Sequence, residues 1–168
     1  LDEVIKDADL FLGLSGPNVL ETSMIKKMRA KPIIFALANP SPEVMPENAR
    51  KAAADAIIAT GRSDFPNQVN NVLCFPFIFR GALDVEATEI NDEMQLACID
   101  AIAEIAKTTT SAEAAAAYQG EALTFGPEYL IPKPFDPRLS VVVSSAVAQA
   151  AMQSGVAKKP LADLESYK

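Results

Sequence analysis

Three short apolar runs punctuate the first sixty residues, and each is bounded by glycine, proline or polar residues. They occupy residues 10–15, 33–38 and 57–59. Runs this short and this continuously apolar are typical of strands buried on both faces, as in parallel sheets. Between them, residues 21–28 and 46–54 have the apolar spacing or the Pro-Glu start of helices. This alternation predicts a parallel sheet, the second half of a doubly wound, Rossmann-like α/β domain.

The remainder of the chain is predicted to be helical. A strongly apolar helix interrupted by Pro76 is expected first, and later helices show clear caps or an alanine-rich composition. The predicted helices are 69–83, a helix capped by Asn91 that ends near Lys107, 111–119, and 141–154 capped by Ser140 and closed by Gly155. We expect residues 1–158 to form one domain, and 159–168 to be a linker or tail.

Polar residues follow each predicted strand: Ser15, Asn39 and Thr60-Gly61. The carboxyl ends of parallel strands form the crevice in which open α/β sheets bind ligands. The loop after the third strand ends in Asn70-Asn71, and an asparagine amide can hold a carboxylate, hydroxyl or carboxamide without titrating. Simpler roles remain open: a helix start for Ser15, a turn for Asn39, and a helix cap for Asn70 and Asn71.

Composition excludes several classes of function. The formal net charge is −7, which disfavours nucleic-acid binding. No apolar run reaches the roughly 20 residues of a membrane helix, and no secretory signal opens the chain. Two cysteines in apolar patterns predict free thiols and a cytoplasmic location. The absence of histidine removes Ser-His and Cys-His nucleophilic chemistry, and no Gly-x-Gly-x-x-Gly loop is present.

Five stretches together resemble bacterial malic enzymes, in particular the large NADP-dependent form with a phosphotransacetylase-like domain downstream. They are 8–15 (ADLFLGLS), 35–43 (FALANPSPE), 59–73 (ATGRSDFPNQVNNVL), 75–84 (FPFIFRGALD) and 131–138 (IPKPFDPR). The resemblance implies oxidative decarboxylation of (S)-malate to pyruvate and CO2 with reduction of NADP⁺, or NAD⁺. It further implies Mg²⁺ or Mn²⁺ and a homo-oligomeric assembly.

The resemblance also assigns roles to residues. Asn39 matches a cofactor contact at the nicotinamide end, and Asn71 matches the substrate-binding asparagine, with Asn70 beside it. Ser15 is a second candidate cofactor contact, near the ribose. The family's tyrosine acid, lysine base, metal ligands and glycine-rich loop are expected upstream of residue 1, so no catalytic or metal-binding residue is assigned here.

Some residues depart from the pattern or have simpler explanations. Glu86 stands where the family motif predicts glycine. Arg62 could clamp a phosphate, but an ion pair with Asp64 explains it at least as well. Lys133 and Asp136 are similar to a catalytic pair, but we expect them to hold the proline-rich loop in place. The alternative function is a non-catalytic nucleotide-binding or dimerisation module that is inactive without upstream residues. Half of an amino-acid dehydrogenase shares the strand pattern but lacks the Asn70-Asn71 segment.

Overall fold

The computed structural model describes residues 1–108 and 123–167, which fall into two compact units. The first unit comprises Leu1–Val69 with Gly126–Tyr129. The second comprises Asn70–Phe125 with Leu130–Lys168. The expectation of a helix at 111–119 lies outside the described residues. Within the described residues, no helix is both long and apolar enough to cross a membrane.

The first unit is a three-stranded parallel sheet with two helices, which confirms the predicted α/β pattern. The strands β1, β2 and β3 pair in chain order, with Leu12 opposite Phe35 and Phe35 opposite Ala59. Its core contains alternate strand residues such as Ile34 and Ile58 together with Ile25 and Ala49 of the helices. The elements are β1 Leu10–Gly13, α1 Thr22–Ile25, β2 Ile33–Ala36, α2 Pro46–Ala52 and β3 Ile57–Thr60.

Strands β1 and β2 end two residues earlier than their apolar runs predict. The ladder ends at Gly13 and Ala36. Beyond it, the backbone N–H groups of Ser15 and Ala38 donate to the side chain of Glu43 rather than to a neighbouring strand. The sheet therefore continues past its last ladder bond through a side chain.

The second unit is helical, and its described residues form a short 3-10 helix followed by three α-helices. Its core is formed where α5 packs on α3 and α4, with Met94, Cys98, Leu139, Val143 and Val147 fully buried. The elements are the 3-10 helix Asn71–Leu73, α3 Phe75–Asp84, α4 Asp92–Lys107 and α5 Arg138–Gln153. This arrangement matches the predicted succession of helices in the described part of the chain.

Two predicted helix boundaries are wrong. Pro76 lies in the first turn of α3, where the missing N–H costs nothing, so it begins a helix instead of interrupting one. Ser140 lies inside α5, which begins at Arg138, and its hydroxyl donates to the Pro137 carbonyl at 3.2 Å instead of capping the helix. By contrast, Asn91 caps α4 as predicted, because its Oδ1 accepts from the Met94 N–H at 3.1 Å.

The segment expected to be a linker or tail belongs to the second unit and is hydrogen-bonded to the rest of it. The Lys159 N–H donates to the Val85 carbonyl at 3.0 Å. The Leu161 N–H donates to Met152 Sδ at 3.2 Å. The Tyr167 hydroxyl donates to Asp84 Oδ2 at 2.6 Å, and Arg80 Nε donates to the same oxygen at 2.6 Å. Desolvation and the bond to Asp84 raise the pKa of Tyr167 to about 12, so the hydroxyl stays protonated and able to donate.

Candidate functional site

Glu43 organises the carboxyl end of the sheet. Its carboxylate is fully buried, and its two oxygens bond to the ends of different strands. Oε1 accepts from the Ser15 N–H at 2.8 Å and from the Ser15 hydroxyl at 3.4 Å. Oε2 accepts from the Ala38 N–H at 3.1 Å. One side chain therefore fixes the residues that follow both β1 and β2.

Ser15 lies at the end of β1 with its side chain exposed. The next helix begins only at Thr22, so Ser15 is not a helix-start residue. Its backbone N–H and its hydroxyl both donate to Glu43, and the hydroxyl oxygen can still accept a hydrogen bond. The candidate cofactor contact is thus held by a buried acceptor at the sheet edge.

Asn39 follows β2 and is exposed. The structure gives its side chain no hydrogen bond within the described residues, and the Asn39–Pro40 peptide is cis. The amide rests against Gly61 at the end of β3, where an added Cβ would lie 2.6 Å from Nδ2. Glycine at this position therefore makes room for the Asn39 amide, whose donor and acceptor atoms remain available.

Arg62 and Asp64 form a two-bond ion pair in the loop after β3, as predicted. Nε donates to Oδ1 at 2.8 Å and Nη2 to Oδ2 at 2.6 Å. These bonds lower the pKa of the Asp64 carboxyl. The Arg62 guanidinium also lies 5.5 Å from the centre of the Phe65 ring. With its charge engaged in this way, Arg62 braces the loop and is not a free anion site.

Asn70 and Asn71 belong to the second unit, whereas Ser15 and Asn39 belong to the first. The Asn70 Oδ1 accepts from the Val72 N–H at 3.0 Å and caps the 3-10 helix. The Asn71 side chain is exposed, and within the described residues it has no hydrogen bond. The structure thereby separates the two roles that the sequence left open: Asn70 is the cap, and the Asn71 amide is available for a ligand.

Two buried polar residues, Asn67 and Asp136, fix the flanking loops, and only Asp136 was expected to do so. Asn67 is 6% exposed, and its Nδ2 donates to the carbonyls of Ile58 and Pro127 at 2.9 and 2.7 Å. Asp136 is 4% exposed; it accepts hydrogen bonds from Nε and Nη2 of Arg138 and from the Arg138 backbone N–H. The expected loop-holding role of Asp136 is confirmed, with Arg138 as its ion-pair partner. The place of Asn67 in the loop after the third strand could have marked it as a candidate. Its bonds to the carbonyls of Ile58 and Pro127 are visible only in the folded structure.

A metal site is not formed by the residues that the structure describes. Among them, no group of three or more cysteine, aspartate or glutamate side chains could hold a metal ion. The described carboxylates at the strand ends are already engaged, Glu43 by backbone N–H groups and Asp64 by Arg62. These residues therefore do not fit a divalent cation.

Comparison with known proteins identifies the family to which this geometry belongs. Residues 1–118 match the family model described as malic enzyme, NAD binding domain. The chain is 64% identical over 167 residues to the NADP-dependent malic enzyme of Salmonella typhimurium and 58% identical over 167 residues to the NAD-dependent malic enzyme of Rhizobium meliloti. Each match covers 99% of this chain but only 22% of the length of the relative.

Solved structures agree with the sequence comparison. The crystal structure of malic enzyme from Pyrococcus horikoshii matches 98% of this chain and 34% of its own, at 43% identity and a TM-score of 0.80. That of Entamoeba histolytica malic enzyme matches 98% of this chain and 31% of its own, at 38% identity and a TM-score of 0.81. The parallel sheet with its strand-end polar residues is thus the Rossmann-type fold of these enzymes, and the chain belongs to the malic enzyme family, in the region of its NAD-binding domain.

Proposed function

We propose that this chain supplies cofactor and substrate contacts of a malic enzyme that converts (S)-malate to pyruvate and CO2 with reduction of NADP⁺. The observation that carries the proposal is the exposed Asn39 amide, available beside Gly61 at the carboxyl end of the sheet. Ligands of open α/β sheets bind beyond that end. Membership of the malic enzyme family identifies the class of ligand.

The residues of this chain would bind and orient. The nicotinamide nucleotide, when bound, supplies the hydride acceptor. Asn39 has a donor and an acceptor for a carboxamide or a ribose hydroxyl, and Ser15 has a hydroxyl for the ribose. Asn71 would hold a malate carboxylate through its amide N–H, with an affinity that does not change with its own protonation. Asn70 would keep the turn that presents Asn71.

The described residues do not fit Mg²⁺ or Mn²⁺, so the metal that the resemblance implies stays a prediction. A cytoplasmic location and a homo-oligomeric assembly also stay predictions. Relatives of both cofactor types are similar to this chain, at 64% identity for an NADP-dependent enzyme and 58% for an NAD-dependent one. We favour NADP⁺, and the ratio of kcat/KM for the two nucleotides decides it.

The test uses the full protein encoded by the gene. We expect malate-dependent reduction of nucleotide with equal formation of pyruvate. Asn39→Ala should raise the Kd for the nucleotide about three- to tenfold, because one or two hydrogen bonds to the ligand are lost. Asn48→Ala, a change of an exposed asparagine in α2, is the matched control and should leave the Kd unchanged. No pyruvate from malate in the wild-type protein would overturn the proposal.

A second candidate is a nucleotide-binding or dimerisation module without catalysis of its own. The small share of the relatives' length that is covered, 22%, favours this description for the 168 residues taken alone. We expect these residues, expressed by themselves with Mn²⁺, to give no malate-dependent reduction of NADP⁺. Turnover by that fragment would mean that all proton-transfer groups lie within it.

A further inference from the structure

Among the described residues of the first unit, Glu43 is the only buried acidic residue, and both of its carboxylate oxygens accept hydrogen bonds. A buried carboxylate is costly unless its oxygens are hydrogen-bonded. Both oxygens of Glu43 are used, one by Ser15 and the other by the Ala38 N–H. Its backbone carbonyl additionally accepts from the Leu20 N–H at 3.1 Å, which anchors the residue itself.

The geometry around the Glu43 side chain requires a group whose two terminal atoms both accept hydrogen bonds. Two backbone N–H groups from different strands point at two different atoms, and a carboxylate offers an acceptor at both. A glutamine amide would turn a donor toward one of them and leave that N–H unpaired. Gly13 completes the arrangement, because a Cβ there would lie 2.4 Å from Glu43 Cδ. The absence of that methyl group is what allows the carboxylate to reach between the strands.

Glu43 bonds to one proposed ligand contact and to the residue that precedes another. Oε1 binds Ser15 itself, and Oε2 binds Ala38, which directly precedes Asn39. A backbone bond from the Leu37 N–H to the Gly13 carbonyl, at 3.0 Å, already joins the two strand ends one step earlier. Glu43 thus sets how far apart, and in what direction, the chain leaves β1 and β2.

We propose that Glu43 is a positioning residue for the nicotinamide nucleotide, acting through Ser15 and Asn39 by holding the ends of β1 and β2 in register. This inference rests on the proposed function. It goes beyond it by assigning nucleotide affinity to a buried side chain that does not touch the ligand.

The test uses Glu43→Gln and Gly13→Ala in the full protein. The first replaces one acceptor by a donor, and the second displaces the carboxylate without changing its chemistry. Each should raise the Kd for NADP⁺ about tenfold, since hydrogen bonds to a charged group are lost, while the KM for malate at saturating nucleotide stays within about twofold. In the double variant the two effects should not add, because both act on the same carboxylate.

Matched controls separate positioning from folding. Glu47→Gln changes an exposed glutamate four residues away, and Gly16→Ala adds a methyl group that meets no atom within 4 Å. Glu47→Gln should have the same Kd for NADP⁺ as the wild type. Gly16→Ala should have the same melting temperature as the wild type. A lowered melting temperature with an unchanged Kd in both test variants would overturn the proposal.

Failure of folding is also decisive. If Glu43→Gln does not fold, the Kd of Gly13→Ala decides, and if neither folds, Glu43 is a purely structural residue and the proposal is wrong. A wild-type protein that binds neither NADP⁺ nor NAD⁺ would instead overturn the proposed function. The wild-type measurement therefore distinguishes the two failures.

Discussion

Two helices of the second unit end with the same hydrogen-bond pattern but with different residues in its left-handed position. At the end of α3, the Ala87 N–H donates to the Ala82 carbonyl and the Glu86 N–H to Leu83. At the end of α5, the Val156 N–H donates to Ala151 and the Gly155 N–H to Met152. Both are Schellman motifs, in which the left-handed residue is usually glycine. Glu86 has φ 50° and Gly155 has φ 79°.

Substitutions of Glu86 and Gly155 should change the free energy of unfolding in opposite directions. Glu86→Gly should raise the free energy of unfolding by about 1 kcal/mol, because a side chain in the left-handed region costs about 1–2 kcal/mol and glycine's greater entropy loss offsets part of it. Gly155→Ala should lower it by about 1 kcal/mol, through backbone strain alone, because a Cβ there meets no atom within 4 Å. Urea unfolding of the 168-residue chain measures both. Equal signs for the two changes would contradict this explanation.

Glu86 also shows what the sequence could and could not predict at this scale. The family motif predicted glycine at this position, and the left-handed backbone explains that preference. Which of Asn70 and Asn71 caps the following helix could not be predicted, because both are asparagine and an asparagine suits either role. The choice depends on which amide faces the Val72 N–H, and that is decided by backbone geometry at single-residue resolution.

The two cysteines provide a pH-dependent test. Their sulfur atoms lie 3.4 Å apart, and Cys98 is 1% exposed. Burial, with the neighbouring Cys74, raises the pKa of Cys98 to about 12. Because the thiolate is the reactive form, the rate of Cys98 alkylation by iodoacetamide in the folded protein should be low at pH 8. It should still rise about tenfold per pH unit up to pH 10.5, far below that pKa. A rate that levels off near pH 9 in the folded protein would contradict the shift.

At the scale of elements, the sheet was predictable because its strands are short, apolar and separated by helical segments. The alternation of strands and helices predicted their parallel direction, whereas their order in the sheet is known from the structure. The strand ends were not predictable, since the bonds that replace the ladder come from Glu43, a distant side chain. Pro76 was misjudged because a proline in an apolar run is compatible with a helix start and with a break. The apolar residues on either side of Pro76 do not distinguish the two.

The crossing of α3 and α5 depends on Gly81. An added Cβ would lie 2.5 Å from the Ser144 carbonyl oxygen and 2.9 Å from Val147 Cβ. Gly81→Ala should gain about 1 kcal/mol from helix propensity. The overpacking costs about 1–3 kcal/mol, and the nearest atom belongs to the backbone and cannot turn away. We therefore expect a net loss of about 1–2 kcal/mol in urea unfolding. A gain of about 1 kcal/mol, as propensity alone gives, would mean that the helices separate freely.

At the scale of the molecule, the described residues form two compact units, and the chain spans 22% of the length of relatives such as the Salmonella typhimurium enzyme. The family could be predicted from long motifs such as residues 59–73. Cofactor preference could not, since close relatives use either nucleotide. The account of the malate contact therefore depends on Asn71, the amide that the second unit leaves without a partner among its described residues.

The most direct test of that account is the malate KM of Asn71→Ala in the full protein. We expect it to rise about ten- to a hundredfold, as for a lost hydrogen bond to a charged group, while the Kd for NADP⁺ changes little. Asn71→Asp, of the same shape but with a negative charge, should bind malate more weakly still, and Asn48→Ala should behave as the wild type. Unchanged malate kinetics in Asn71→Ala would contradict the account.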